Sequence, residues 1–425
     1  MTLQSLDFEK KSFVIYGLGI TGKSAFKFLK RQGVKTILTW DDFLKKKNYN
    51  DAKKFKSSLN SADYIIISPG ININSSIFKK SLIKNKKKIL TDLDLFYLKN
   101  NLKKSIVITG TNGKSTTCSL VHHILKKNKI QSKLAGNIGR PILDLKFSNR
   151  DVYVIEASSY HLEYSKFIKP LCAAILNISK DHLDWHGSKH KYIKAKFKIF
   201  INQDNKDKAF LKHNKLKKIY KQKKFIGKLY PVKKNSIRGI DVKNDYLQLE
   251  ANQDNLSFAF SITKIFGIKK NKFINALKSF RGLPHRQEVF LKKGNIKFIN
   301  DSKATSFEAS KYALNSNDNI IWILGGLPKK NDKIVIDKFK KKIIKAYIIG
   351  NHPNFFARQL KKRIKFEIVK NLKIVIEKIF KEIKKKEKLT VLFSPASASF
   401  DQFKNFNERG DIFKKFVKQY AKRYN

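Results

Sequence analysis

Ser105-Ile106-Val107-Ile108-Thr109-Gly110-Thr111-Asn112-Gly113-Lys114-Ser115-Thr116 is an apolar strand-like run that ends in a short glycine loop and enters a helix carrying Leu120, Val121, Ile124 and Leu125. Such a strand–loop–helix unit gathers backbone N–H groups at the positive end of a helix, which is how proteins cradle nucleotide phosphates. Lys114 is then placed to neutralise the β- and γ-phosphates, and Ser115 to reach a Mg²⁺ ion. The loop is shorter than G-x-x-x-x-G-K-[ST], which would need Gly where Ile108 stands. ATP binding is the first expectation, with Gly110, Thr111, Asn112, Gly113, Lys114, Ser115 and Thr116 forming the cradle.

The block before this loop follows the same logic. Phe13–Tyr16 reads as a strand, Gly17-Leu18-Gly19-Ile20-Thr21-Gly22 as a turn and Ser24–Gln32 as a helix. Strands at Thr36–Trp40 and Tyr64–Ile67 follow, the second running into Ser68-Pro69-Gly70. This is the opening of a doubly wound α/β domain. G-x-G-x-x-G with acids at Asp41 and Asp42 about 20 residues on also matches the dinucleotide fingerprint, so a nicotinamide-dependent oxidoreductase is an alternative for this block.

After the loop, strands at Val152–Ile155 and Cys172–Leu176 continue a second block. Asn202 to Lys234 is Lys-rich and weakly patterned, and reads as exposed turns and short strands. Leu256–Ile268 and Asn271–Phe280 are apolar and helix-like, and Gly282-Leu283-Pro284-His285 reads as a hinge. The last block alternates helices with strands at Ile296–Ile299, Ile320–Leu324, Ala346–Ile349, Phe366–Val369 and Thr390–Phe393, which predicts another open α/β sheet.

At 425 residues the chain exceeds one ordinary core, so two or three domains are expected. The formal charge of +59 raises a nucleic-acid-binding alternative. Only ten of the 92 basic residues are arginine, however, and the lysines are spread along the whole chain. Lys, Asn, Ile and Phe are all abundant, as an AT-rich genome would produce. Arginine, the better reader of phosphates and guanines, is scarce. A solvated surface that also attracts anionic substrates accounts for the charge, with no nucleic-acid partner. Cys118 and Cys172 lack ligand spacing, so packing in a reducing compartment is expected. Met1 to Lys11 has no apolar signal core and no stretch reaches membrane-spanning length, which predicts a cytoplasmic protein without a membrane partner.

Polar clusters close the predicted strands. Glu156-Ala157-Ser158-Ser159 follows Val152–Ile155, and a carboxylate there suits Mg²⁺, although a helix-capping acid has the same look. Asn177-Ile178-Ser179-Lys180-Asp181-His182-Leu183-Asp184-Trp185-His186 follows Cys172–Leu176 and is dense in metal-capable groups. Pro284-His285-Arg286, Asn300-Asp301-Ser302-Lys303-Ala304-Thr305, Gly325-Gly326-Leu327-Pro328-Lys329 and Ser394-Pro395-Ala396-Ser397-Ala398-Ser399 mostly lie at strand ends, where open α/β sheets bind ligands. Spacing alone leaves Lys196, in Tyr192-Ile193-Lys194-Ala195-Lys196, a surface lysine.

Taken together, Thr109 to Thr116, Glu156 to Ser159, Asp181 to Asp184, Tyr192 to Lys196 and Gly282 to Arg286 resemble the signature of the Mur ligase family. Asp301 to Thr305, Ser394 to Phe400, and Asp401 through Phe406-Asn407-Glu408-Arg409-Gly410 are similar to its D-glutamate-adding branch. The Asp-Asn-Pro-Arg pattern of the diaminopimelate-adding relatives is absent; another amino-acid-adding Mur ligase is the nearest alternative. The resemblance implies an α/β protein of three domains: a Rossmann-like UDP-substrate domain (1–93), a central P-loop-type ATPase domain (94–282) and a C-terminal Rossmann-like domain (283–425).

The implied activity is ATP-driven amide synthesis through an acyl phosphate, joining D-glutamate to UDP-N-acetylmuramoyl-L-alanine for peptidoglycan. The resemblance implies catalytic roles for Lys114, His182 and Lys196, with Lys196 carbamylated. It places Ser115, Glu156, His182 and Lys196 at two Mg²⁺ sites, and Asn252, Asn255, Arg286 and Asp301 on the nucleotide. Ile20, Thr21, Asp41 and Gly70 would hold UDP, and Asn137 and His182 the substrate further in. Thr305, Lys329, Ser399, Phe400 and Phe406 would shape the D-glutamate pocket; a monomer is expected. Ser306 where Asn is usual, Asp42 after Asp41 in place of Thr and Arg, and Ala251 in place of His depart from the pattern.

Overall fold

The computed structural model describes residues 6–43, 51–100, 102, 104–179, 181–233, 245–248, 250–328, 332–382 and 388–423. They separate into two compact units, Met1–Asn244 with Asn252–Phe280, and Asp245–Ala251 with Arg281–Asn425.

The first unit holds two parallel sheets. Strands β1 (Phe13–Tyr16), β2 (Ile37–Trp40), β3 (Tyr64–Ile67) and β4 (Ile89–Leu90) pair in the order β2-β1-β3-β4. The central sheet has β5 (Ser105–Thr109), β6 (Ser132–Gly136), β7 (Val152–Glu156), β8 (Cys172–Ile175), β9 (Lys208–Leu211) and β10 (Lys228–Pro231), in the order β10-β9-β8-β5-β7-β6. All five residues of β5 are buried, as expected of a strand covered on both faces. One apolar cluster takes Phe13, Phe28 and Leu93 together with Val107, Tyr153 and Ile155, so the two sheets share a core. Asp94 pins this joint: it closes a capping box with Thr91 and accepts the Lys166 and Phe167 N–H groups, both at 2.8 Å.

The Lys-rich stretch holds the expected short strands, β9 and β10, but also a helix and a buried apolar side that its composition hides. β9 buries Ala209, Phe210 and Leu211, and the helix Asn214–Gln222 buries Leu216 and Tyr220. Four-residue spacing of those two residues makes an apolar stripe, while the intervening lysines keep their charges in water. The stretch thus forms the edge of the central sheet. The two apolar segments beyond it are helices, Glu250–Lys264 and Lys270–Leu277.

The second unit holds β11 (Glu288–Lys293), β12 (Ile296–Asn300), β13 (Ile320–Gly325), β14 (Ile343–Ile349), β15 (Phe366–Ile368) and β16 (Leu389–Phe393), in the order β11-β12-β16-β13-β14-β15. Only β11 runs antiparallel. Apolar clusters cover both faces, one with Phe298, Ile323 and Phe413, the other with Trp322, Leu324 and Phe356. No helix among the described residues is long and apolar enough to cross a membrane.

Candidate functional site

β5 delivers the glycine loop to the helix Lys114–Lys127, whose first residue follows Gly113 at φ +83°. A Cβ at Gly113 would lie 2.2 Å from Asn255 Oδ1, so only glycine permits this approach. Asn255 accepts from Thr117 Oγ1 (3.2 Å) and donates to Asn252 Oδ1 (3.0 Å). Asn255, expected at the nucleotide, therefore sits against the loop, with Asn252 bonded to it. Asn177, at the end of β8, accepts the Asn112 N–H on Oδ1 (2.9 Å) and the Thr111 N–H on its carbonyl (3.0 Å). Lys114 Nζ donates to the carbonyls of Gly110 (2.9 Å) and Thr111 (2.8 Å), which holds its charge over the cradle. Ser115 and Thr116 are buried at the first turn of the helix.

Lys196 is not a surface lysine. It is 1% exposed, and its Nζ donates to Gly110 O at 2.9 Å and lies 4.6 Å from the centre of the Tyr192 ring. Burial, and then the nearby charge of Lys114, push its pKa well below the ordinary lysine value. Both causes favour the neutral, nucleophilic form of the amine beside the phosphate loop. Residues 192 and 196 lie one helical turn apart on Lys189–Phe197, and Tyr192 Oη meets Thr111 Oγ1 at 3.0 Å.

Glu156 ends β7 with 1% exposure. Its Oε1 accepts from Asn137 Nδ2 at 3.1 Å, while Oε2 is buried without a hydrogen-bond partner. A carboxylate oxygen left in that condition suits a cation. Among the described residues no three His, Cys, Asp or Glu side chains converge as a ready metal set. An ion here would therefore need further oxygens from phosphate, hydroxyl or a modified lysine. His182, at φ +50°, pairs through Nδ1 with Tyr160 Oη (2.7 Å) and through Nε2 with Asp181 (3.3 Å).

Behind it, His186 is buried with Nε2 3.0 Å from Ser159 Oγ, and burial pushes its pKa down to about 4. His122 is lowered to about 4 for the same reason. Unfolded imidazoles take up protons near pH 6.5, whereas these two stay neutral until about pH 4. The unfolded chain binds more protons in that window, so their contribution to stability is lost as pH falls through it. Urea midpoints should be lower at pH 5 than at pH 7, and His122→Gln should flatten that slope; an unchanged slope would contradict the assignment.

In the first sheet, Asp41 accepts the Leu18 N–H (2.6 Å) and Phe43 N–H (3.0 Å), which ties the tip of β2 to the glycine turn. Asp42 accepts from Tyr16 Oη (2.8 Å) and Trp40 Nε1 (2.8 Å). Ile20 is exposed at 78%, unusual for isoleucine, and Thr21 and Gly70 lie at the same carboxyl edge of the sheet. In the second unit, buried Asp301 accepts from Ser394 Oγ (2.7 Å) and Gln287 N–H (3.1 Å), and burial pushes its pKa up to about 7. Arg286 lies close enough for its charge to oppose that rise.

Thr305 follows β12 and Ser399 and Phe400 follow β16; Ser399 is buried and Phe400 is 71% exposed. Phe406 opens the last helix, Phe406–Arg423, with its carbonyl accepting from Ser302 Oγ at 2.9 Å. Lys329 lies outside the described residues.

Sequence reasoning missed Asn177, Tyr160 and Tyr192 as partners of the loop and of His182. Of these only Tyr192 had a legible signal, its four-residue spacing to Lys196.

A family model, the Mur ligase middle domain, matches residues 108–275. The chain is 34% identical to the UDP-N-acetylmuramoylalanine–D-glutamate ligase of Rickettsia felis, covering 97% of this chain and 98% of that one. It is 31% identical to the Wolbachia pipientis wMel ligase of the same name, with 97% of each covered. Among solved structures it is similar in fold to the UDP-N-acetylmuramate–alanine ligase of Thermotoga maritima, with TM-score 0.62 and 19% identity over 97% of this chain and 100% of the other. The MurF ligase of the same organism, solved with ADP, gives 0.60 at 15% identity, covering 99% and 100%. With the phosphate loop, the buried lysine and the strand-end carboxylate in place, the chain belongs to the Mur ligase family, among its UDP-N-acetylmuramoylalanine–D-glutamate ligases.

Proposed function

We propose that the protein joins D-glutamate to UDP-N-acetylmuramoyl-L-alanine, converting ATP to ADP and phosphate, in peptidoglycan precursor synthesis. The observation that carries this reading is the end-to-end relationship to ligases of that name, 34% identical over 97% of the chain. A carboxylate oxygen of the first substrate attacks the γ-phosphorus of ATP and ADP leaves. The amine of D-glutamate attacks the acyl carbon of the resulting acyl phosphate, loses a proton, and phosphate departs. Both steps bring anions together, so the protein's task is placement and charge screening.

In this reading Gly110 to Thr116 hold the phosphates and Lys114 screens the transferring group. Ser115, Glu156, His182 and a carbamate on Lys196 would hold Mg²⁺, which supplies charge neutralisation between the reacting anions. The burial and lowered pKa of Lys196 support the carbamate: its neutral amine would add CO₂ and lose a proton, and Lys114 would stabilise the anion formed. Asn252, Asn255, Arg286 and Asp301 are assigned to the nucleotide. Ile20, Thr21, Asp41, Gly70, Asn137 and His182 are assigned to the UDP substrate, and Thr305, Lys329, Ser399, Phe400 and Phe406 to D-glutamate. The three sheets are taken as domains 1–93, 94–282 and 283–425.

The test is phosphate release with ATP, UDP-N-acetylmuramoyl-L-alanine and a panel of amino acids. Release should depend on D-glutamate. Release with L-lysine or diaminopimelate instead would move the protein to another branch of the family.

A further inference from the structure

Arg409 is among the largest fully buried side chains, at 1% exposure in the first turn of the last helix. Its Nε donates to Ser302 Oγ (3.0 Å) and its Nη2 to the carbonyls of Ser302 (2.8 Å) and Ser397 (3.1 Å). Nη1 is buried with no partner. Asp401 is the acid whose charge it feels, but no ion pair forms, and Asp401 Oδ2 accepts the Asn351 N–H at 3.0 Å. On one side lies the Phe393 ring, 6.0 Å to its centroid. On another lies Gly326, where a Cβ would come within 2.4 Å of Ala398 O and 3.2 Å of Nη1. Burial lowers the guanidinium to about 10, so it remains a cation at neutral pH.

A buried cation whose nearby acid, Asp401, makes no ion pair with it is only partly compensated, and an anion brought nearby recovers part of the remaining cost. Arg409 joins the backbones after β12 and β16 to the start of the last helix. Those three segments carry Thr305, Ser399, Phe400 and Phe406, the residues assigned above to the amino acid. We infer that Arg409 is a specificity-determining positioning residue. Its sealed guanidinium fixes these segments and gives the pocket a positive potential that favours an acidic amino acid over its neutral isostere. The inference rests on the D-glutamate reading of this pocket.

Full-length wild type, R409K and R409Q are compared by phosphate release with ATP and the UDP substrate, varying D-glutamate and D-glutamine. R409Q should raise KM for D-glutamate about tenfold or more and narrow the preference over D-glutamine by a similar factor, because the charge is gone. Its KM values for ATP and the UDP substrate should stay within about twofold, since those ligands do not depend on this charge. R409K keeps the charge but not the fork, and should fall between wild type and R409Q. An unchanged KM for D-glutamate, an equal rise in all three KM values, or R409K matching R409Q would overturn the inference.

If R409Q does not fold, Ser302→Ala removes one anchor of the guanidinium while leaving its charge. It should raise KM for D-glutamate about threefold, and no change there would count against the proposal. Wild-type release indifferent to D-glutamate sinks the substrate reading and this inference with it. D-glutamate-dependent release with R409Q unaffected removes Arg409 alone.

Discussion

Lys196→Ala is expected to cut turnover at least about 100-fold while leaving the protein folded, because it removes both a buried amine and the metal-binding carbamate proposed on it. The side chain lies against the phosphate loop, with Nζ 2.9 Å from Gly110 O, and burial together with Lys114 holds its pKa well below the ordinary lysine value. A cation there would repel Lys114; a carbamate would pair with it and offer Mg²⁺ a hard oxygen beside Glu156. Short carboxylic acids, entering the space the side chain leaves, should restore part of the activity. Lys196→Arg should not, since its fixed positive fork cannot ligate Mg²⁺. Turnover by the Ala variant equal to wild type would reduce Lys196 to a packing residue.

Lys114→Ala should have an effect of similar size by a different route. The lysine is half-buried at the helix start, where its Nζ donates to two carbonyls of its own loop, Gly110 O and Thr111 O. Its loss should therefore leave the fold intact. In the proposed reaction the charge it supplies would act on the transferring phosphoryl group, where screening matters most, so kcat should fall about 100-fold or more. Retention of a tenth of wild-type kcat would refute this role. The two variants separate by rescue: carboxylic acids should help Lys196→Ala and do nothing for Lys114→Ala.

The phosphate loop was legible because its signal is local. A strand, two glycines, a lysine and an apolar helix are consecutive in the chain, and backbone geometry turns that order directly into an anion cradle. The strands were legible for the same reason: Phe13–Tyr16 and Tyr64–Ile67 are short apolar runs with clear ends, and they form as read. The edge of the central sheet was harder to see, because lysines surround Leu216 and Tyr220 and hide a two-residue stripe.

What the sequence by itself determined was the α/β architecture, the loop and, through the family's motifs, the reaction. The family's motifs named Lys196 among the many lysines, and the tertiary structure alone decided how its surroundings make it chemically different. Lys196 and its surface neighbours share one side-chain chemistry, and only removal from water beside a second cation lowers the pKa of one of them so far. The same holds for the orphaned oxygen of Glu156 and for Arg409. Desolvation and partnerless burial depend on contacts between residues far apart in the chain, and no local pattern encodes them.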